Sequence, residues 1–203
     1  MLGSEAITMS KRKPKVIYEL DCGSLKTLNY EEIKAILRAA DEIISTAGRS
    51  MLAKILKGSK DKKVLEHGLD KCPSYGYYRD LSLEKITYRI DWMIKKNYLE
   101  VEYQGRLPMI IFSEKGWDIE REIYAEELLQ KLAFLLESKD YSFVSDLKDR
   151  NRGMILLLIE KIKKIGNCRF IPILKAWKDI EYKKVQAELQ NAIDFLMKEG
   201  TIF

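Results

Sequence analysis

Apolar residues recur at helical spacing along most of the chain. Ile33, Ile36, Leu37, Ala40, Ile43 and Ile44 predict a helix over Tyr30 to Ala47, with Asn29 as its N-cap. Ser50 to Leu56 continues as a helix that stops at Gly58, and Lys62 to His67 makes a shorter one before Gly68. Ser82 opens a clearer amphipathic helix, Leu83 to Lys96, which Asn97 ends. On a wheel, Leu83, Ile86, Ile90, Met93 and Ile94 share one face, expected to meet the core, while Lys85, Tyr88, Arg89, Trp92 and Lys96 share the other.

The period then changes from helical spacing to two. Tyr98 to Tyr103 and Leu107 to Phe112 alternate as strands around Gln104-Gly105-Arg106, a hairpin with glycine where a positive φ is needed. Lys15 to Leu20 alternates enough to read as one more short strand. Beyond about Ile119 the helical period returns, first through Ile123, Leu128, Leu129, Leu132 and Leu135, then from Met154 to Ile165 before Gly166. The predicted class is mostly α with a small β part (α+β). A winged helix-turn-helix domain with a short β-hairpin wing is followed by an all-helical region. The expected division is a flexible N terminus over 1–14, the winged-helix domain with its N-terminal helical extension over 15–118, and the helical region over 119–203. Met9 offers a second start, which would make residues 1–8 an upstream scar.

With 203 residues, 46% of them apolar and 33% charged, the chain has enough core for two small domains. No apolar run approaches the roughly 20 residues that span a bilayer, and the first ten residues lack a secretory apolar stretch. A cytoplasmic location without membrane contact is expected. Cys22, Cys72 and Cys168 are scattered, and His67 is the sole histidine, so neither a disulfide framework nor a zinc site is expected. His67 has no acidic or nucleophilic partner at a recognisable spacing and receives no catalytic role.

A net charge of +5 is mild, so its distribution matters more than its total. Lys11, Arg12, Lys13 and Lys15 cluster near the start, and Lys54 to Lys63 holds five lysines against one aspartate. Within the latter, Lys57-Gly58-Ser59-Lys60-Asp61-Lys62-Lys63 offers backbone N–H groups, a hydroxyl and cations to one anion, a nucleic-acid phosphate being the obvious candidate. The polar face of the Leu83 to Lys96 helix adds cations and two aromatics, although Tyr88 and Trp92 are better read as covered by the chain itself, because large aromatics are usually buried.

Catalytic patterns are not found. Asp140, Asp146, Asp149 and Glu160, like Asp70 and Asp80, form no pair at a metal-binding or acid–base spacing, and nothing near Ser59 would take its proton. The chain is expected to have no catalytic residues, no metal, no cofactor and no small-molecule substrate.

Lys57-Gly58-Ser59, the basic turn after it, Tyr75-Gly76, the helix and the Leu99 to Trp117 hairpin closely resemble the RQC domain, the winged helix of RecQ-type DNA helicases. The resemblance covers about a third of the chain. It implies binding to duplex DNA at ends, forks or junctions, with the loop of Lys57 through Lys63 on phosphates and the hairpin at the duplex end. It also implies that the recognition helix stays out of the major groove, which weakens base reading by Lys85 and Arg89. The chain departs from the family in having no Gly-x-x-x-x-Gly-Lys-Ser/Thr loop and no four-cysteine zinc module, and its hairpin tip is short. Clamping a duplex is therefore expected rather than prying it open.

Phe170 to Trp177 with Pro172, then Asp179, Val185, Leu189, Ala192, Ile193 and Leu196, resemble about one and a half HEAT-type helical repeats. So short a stack needs a neighbour for its apolar face, which makes this region a candidate docking site for a protein partner; the plainer reading is the core of a small helical bundle.

The expected function is a non-catalytic DNA-binding protein resembling a stand-alone RQC module, serving repair or replication. Lys57, Gly58, Ser59, Lys60, Lys62 and Lys63 would hold phosphates, Arg79, Lys85, Arg89 and Arg106 would add cationic contacts, and Tyr103 would pack on a terminal base pair. About five phosphate contacts give a log–log salt slope on the order of −4 to −5. The alternatives are a homodimeric winged-helix transcription regulator and an adaptor that binds protein or structured RNA.

Overall fold

The protein is described here from a computed structural model covering residues 19–148 and 150–199. Of the strand expected over Lys15 to Leu20, residues 15–18 lie outside the described residues, as do the expected flexible N terminus over 1–14 and its basic cluster. Glu19 and Leu20 are irregular. Two compact units divide between Ser113 and Glu114.

In the first unit, α1 (Tyr30–Asp41) opens on a complete capping box: the Asn29 side chain accepts from the Glu32 N–H, and the Glu32 carboxylate accepts from the Asn29 N–H. The helix ends earlier than its apolar spacing predicts. Ile43 N–H turns back to the Ala40 carbonyl, Ser45 adopts a φ of 58°, and Ser45 N–H and the Ala47 carbonyl bond the two backbone groups of Ile110. Residues 45–47 thus serve the hairpin rather than the helix. Next come α2 (Arg49–Lys57), α3 (Lys62–Glu66), a 3-10 turn at Leu69–Lys71 and α4 (Leu83–Lys95), which the Ser82 side chain caps.

Strands β1 (Leu99–Gln104) and β2 (Leu107–Phe112) pair antiparallel from Leu99 opposite Phe112 to Gln104 opposite Leu107. This register leaves a two-residue turn with Gly105 at φ 63° in its first position, the arrangement a II′ turn requires. The core joins Ile36 and Leu37 of α1, Leu52, Ile55 and Leu56 of α2, Ile86, Ile90 and Met93 of α4, and Leu99 and Ile110 of the hairpin, all fully buried. Each such side chain is worth about 1.5–3 kcal/mol of burial. Leu83, placed on the core face by its spacing, is instead 46% exposed as the first residue of α4.

The second unit is all helical: α5 (Glu114–Ser138), a 3-10 segment at Ser142–Leu147, α6 (Arg152–Ile165), a 3-10 turn at Cys168–Phe170, α7 (Ile171–Ile180) and α8 (Lys183–Glu199). Its core gathers Leu128, Leu132, Leu158, Ile162, Leu174, Trp177, Leu189 and Leu196. Trp177 is fully enclosed and donates its indole N–H to Glu181 at 2.8 Å. The described residues are mostly helical with one small antiparallel sheet, as a winged helix followed by helices should be.

Candidate nucleic-acid interface

The glycine–serine pair that ends α2 does a different job from the one its sequence suggests. Gly58 sits at φ 73°, its N–H donates to the Ile55 carbonyl, and the Ser59 N–H donates to the Lys54 carbonyl at 2.9 Å. Both N–H groups close the helix C-terminus, so they are not presented to an anion. The Ser59 hydroxyl accepts from the Asp61 N–H at 3.2 Å, and the Ser59 carbonyl accepts from the Tyr75 hydroxyl at 3.0 Å. Gly58 and Ser59 therefore shape the loop, and their N–H groups are spent within it.

Segment 72–79 is strapped across the same helix end. Gly76 N–H donates to the Ile55 carbonyl at 2.9 Å and Tyr78 N–H to the Leu56 carbonyl at 2.8 Å. The Lys57 ammonium donates to the Arg79 carbonyl, and the Arg79 guanidinium folds back to the Gly76 carbonyl at 3.3 Å. Lys57 is thereby committed to the strap, while Arg79 stays exposed.

The remaining lysines of this loop divide by their partners. Lys54 pairs with Asp61 at 2.8 Å, and Lys62 pairs with Glu66 at 3.4 Å on an exposed turn, where such a pair holds little energy. The Lys54 ammonium, with the Lys63 N–H, holds the Asp61 carboxyl below its ordinary range. Lys60 and Lys63 are exposed and have no ion pair among the described residues. Lys63 also lines a hollow of about 510 Å³ with Arg49, Ser50 and Lys54 on one side and Leu107 and Pro108 of the wing on the other. The N terminus of α2, with Gly48 as an N-cap that makes no side-chain bond, opens on this hollow. The start of α2 with Lys63 beside it has the geometry that favours a phosphate, while Lys54 is held by Asp61. Arg49, Ser50 and Leu107, the last 59% exposed, were not singled out from the sequence; a glycine before Arg49-Ser50 was the available signal.

Gly48 also brings the wing close. A Cβ at this position would lie 2.5 Å from the Pro108 carbonyl oxygen, so only glycine lets β2 pass so near the start of α2. Arg106 at the wing tip is exposed, and Tyr103, half-buried on β1, lies opposite Pro108 in the register.

The polar face of α4 is largely spent on the fold. Trp92 is buried, donates its indole N–H to the Lys26 carbonyl at 3.2 Å and stacks on Tyr98 with ring centres 5.9 Å apart. Arg89, assigned as a DNA contact, is bonded to Glu32 at 3.3 Å and to the Lys85 carbonyl at 2.9 Å, and lies over the Tyr78 ring. This arginine ties α4 to α1. Lys85, by contrast with Arg89, is exposed and has no ion pair among the described residues.

Asp91, on the same helix, had escaped notice. It is 1% exposed, accepts from Arg49 at 2.5 and 2.6 Å and from the Asp21 N–H at 2.9 Å, and so anchors the start of α2 against α4. An aspartate one position before Trp92 on a helix otherwise patterned for a surface carries no sequence signal of burial.

Residues 29–130 match the family described as RQC domain. Over 88 residues, 43% of this chain, the sequence is 30% identical to the ATP-dependent DNA helicase RecQ of Bacillus subtilis (strain 168). The matched stretch spans 15% of that helicase's length. No solved structure matches the chain. Among the described residues no helix is long and apolar enough to cross a membrane, and no cluster of His, Cys, Asp and Glu could hold a metal ion.

Proposed function

From the premise that the chain belongs to the RQC domain family, matching it over residues 29–130, we propose that it binds duplex DNA at ends or forks through the wing and the α2–α3 region, without catalysis of its own. Nucleic-acid binding is the property of the family as a whole. The observation that carries the finer reading is the hollow between the start of α2 and the wing, where unpaired Lys63 and the α2 amides face exposed Leu107. A phosphate in the hollow would place the hairpin, with Arg106 at its tip, beside the terminal base pair. Lys60, Lys63, Lys85 and Arg106, exposed and without an ion pair among the described residues, are the cations placed to take part.

A short, two-residue wing turn clamps a duplex more readily than it separates strands, which supports a structure-binding module in repair or replication. The second unit, with the HEAT-like α7–α8 pair, would serve as an adaptor for a protein partner.

The test is fluorescence anisotropy with blunt duplex, forked duplex, single-stranded DNA and duplex RNA across a salt series. Preference for blunt or forked DNA, weakened by Lys60→Glu/Lys63→Glu, supports the proposal. Equal weak binding to all four probes would overturn it.

A further inference from the structure

The second unit holds a basic hollow outside the matched residues 29–130. It measures about 530 Å³ and is lined by Lys148, Arg150 and Arg152 from the segment leading into α6, and by Tyr182, Lys183 and Lys184 at the start of α8. We propose that this hollow is a second nucleic-acid site, taking the phosphodiester backbone. The proposal rests on the nucleic-acid reading of the first unit but assigns a separate site.

Three features converge on a phosphate ligand. Lys148, Arg152, Lys183 and Lys184 are exposed and make no ion pair among the described residues. In the α2–α3 loop, by contrast, Lys54, Lys57 and Lys62 are already engaged. Second, the hollow lies at the start of two long helices, α6, whose Gly153 and Met154 N–H groups are capped by the Asn151 side chain, and α8. Neither α6 nor α8 has an acidic residue in its first turn, and Arg152, Lys183 and Lys184 stand where the helix dipole disfavours cations. Four cations without an ion pair among the described residues, three of them at helix starts, make a positive potential that favours an anion.

The third feature selects a nucleic acid. Tyr182 is 60% exposed with the Lys148 ammonium 5.4 Å from its ring centre, so a cation and an aromatic ring stand side by side, the pairing of groups that a sugar-phosphate strand with bases meets in single-strand binders. Arg150 forms a fixed wall, bonded to the Asp146 carbonyl at 2.8 Å and to the Tyr124 hydroxyl. Glu181 is the one carboxylate lining the hollow among the described residues. It is buried and already accepts from the Trp177 indole and the Tyr182 N–H. Asp149 lies outside the described residues.

The experiment uses the full chain in four forms: wild type, Lys60→Gln/Lys63→Gln, Lys183→Gln/Lys184→Gln, and all four substitutions together. Labelled forked DNA is titrated across a salt series, with polyglutamate as a second probe, and thermal melting checks that each form is folded. Because both α8 lysines are exposed and oppose the helix dipole, their loss should leave melting unchanged or slightly raised. The expected result is a log–log salt slope shallower by about 2 for the α8 pair, adding to the change from the loop pair.

An unchanged slope and affinity in Lys183→Gln/Lys184→Gln, while the loop pair still matters, would overturn the second site and leave the proposed function standing. A change in the α8 pair but none in the loop pair would do the reverse. If the α8 pair affected polyglutamate alone, the hollow would be a protein-docking surface and the inference overturned.

Discussion

Gly58 and Gly76 meet backbone to backbone: a Cβ on Gly58 would stand 3.0 Å from the Gly76 Cα. Both adopt a left-handed φ, and both send their N–H to the same Ile55 carbonyl. The Gly-Ser motif and the Tyr-Gly turn, separate in sequence, are thus two halves of one helix-terminating device. The device orients the loop that carries Lys60 and Lys63.

Gly58→Ala should destabilise the protein by about 1–3 kcal/mol, combining left-handed strain with the Gly76 contact. Gly68→Ala is the control, since Gly68 has φ 66° but nothing within 4 Å of an added Cβ. Urea unfolding of both variants separates the terms: equal losses would show that the contact with Gly76 contributes nothing.

Asp91→Asn should cost about 3–5 kcal/mol, because it removes the buried carboxylate charge that Arg49 meets against α4. Replacing both partners, as Arg49→Met/Asp91→Leu, should recover much of that loss. Urea midpoints at constant slope measure the difference, and a double variant no better than the single would refute the pairing account.

Arg89→Ala should lower stability more than DNA affinity, and Lys85→Ala the reverse. Arg89 is bonded to Glu32 and stacked on Tyr78, whereas Lys85 is exposed. Melting temperatures and anisotropy on the same samples decide the matter.

Tyr78 supplies a pH test. Burial, then the Glu32 charge and the hydrogen bond donated to it at 3.0 Å, push its phenol well above its ordinary range. The folded state therefore binds this proton more tightly than the unfolded chain does. Its contribution is fully present below the unfolded value of about 10 and is lost as the pH rises above it. Between pH 9 and 11 wild type should lose stability faster than Tyr78→Phe, and parallel urea midpoints would contradict this.

Gly48→Val should drive the wing from α2, since even a Cβ would strike the Pro108 carbonyl at 2.5 Å. DNA binding should fall while the second unit keeps its structure, which hydrogen exchange can follow separately over residues 1–113 and 114–199.

The sequence by itself determined the order of elements, because apolar period and capping chemistry are local. Asn29, Ser82, Gly58 and Gly105 each mark a boundary through their own backbone or side-chain bonding, and the structure places each where those rules predict. The RQC resemblance was legible for the same reason, since its motifs are turns and caps. What only the tertiary structure decided is which polar groups are already used. Arg89 and Lys85 are alike in sequence, yet Glu32 from α1 claims one and leaves the other free. Asp91 is buried because Arg49, 42 residues away, reaches it, and the N–H groups of Gly58 and Ser59 are taken by carbonyls of α2. Electrostatic availability depends on partners distant in the chain, and local pattern holds no record of them.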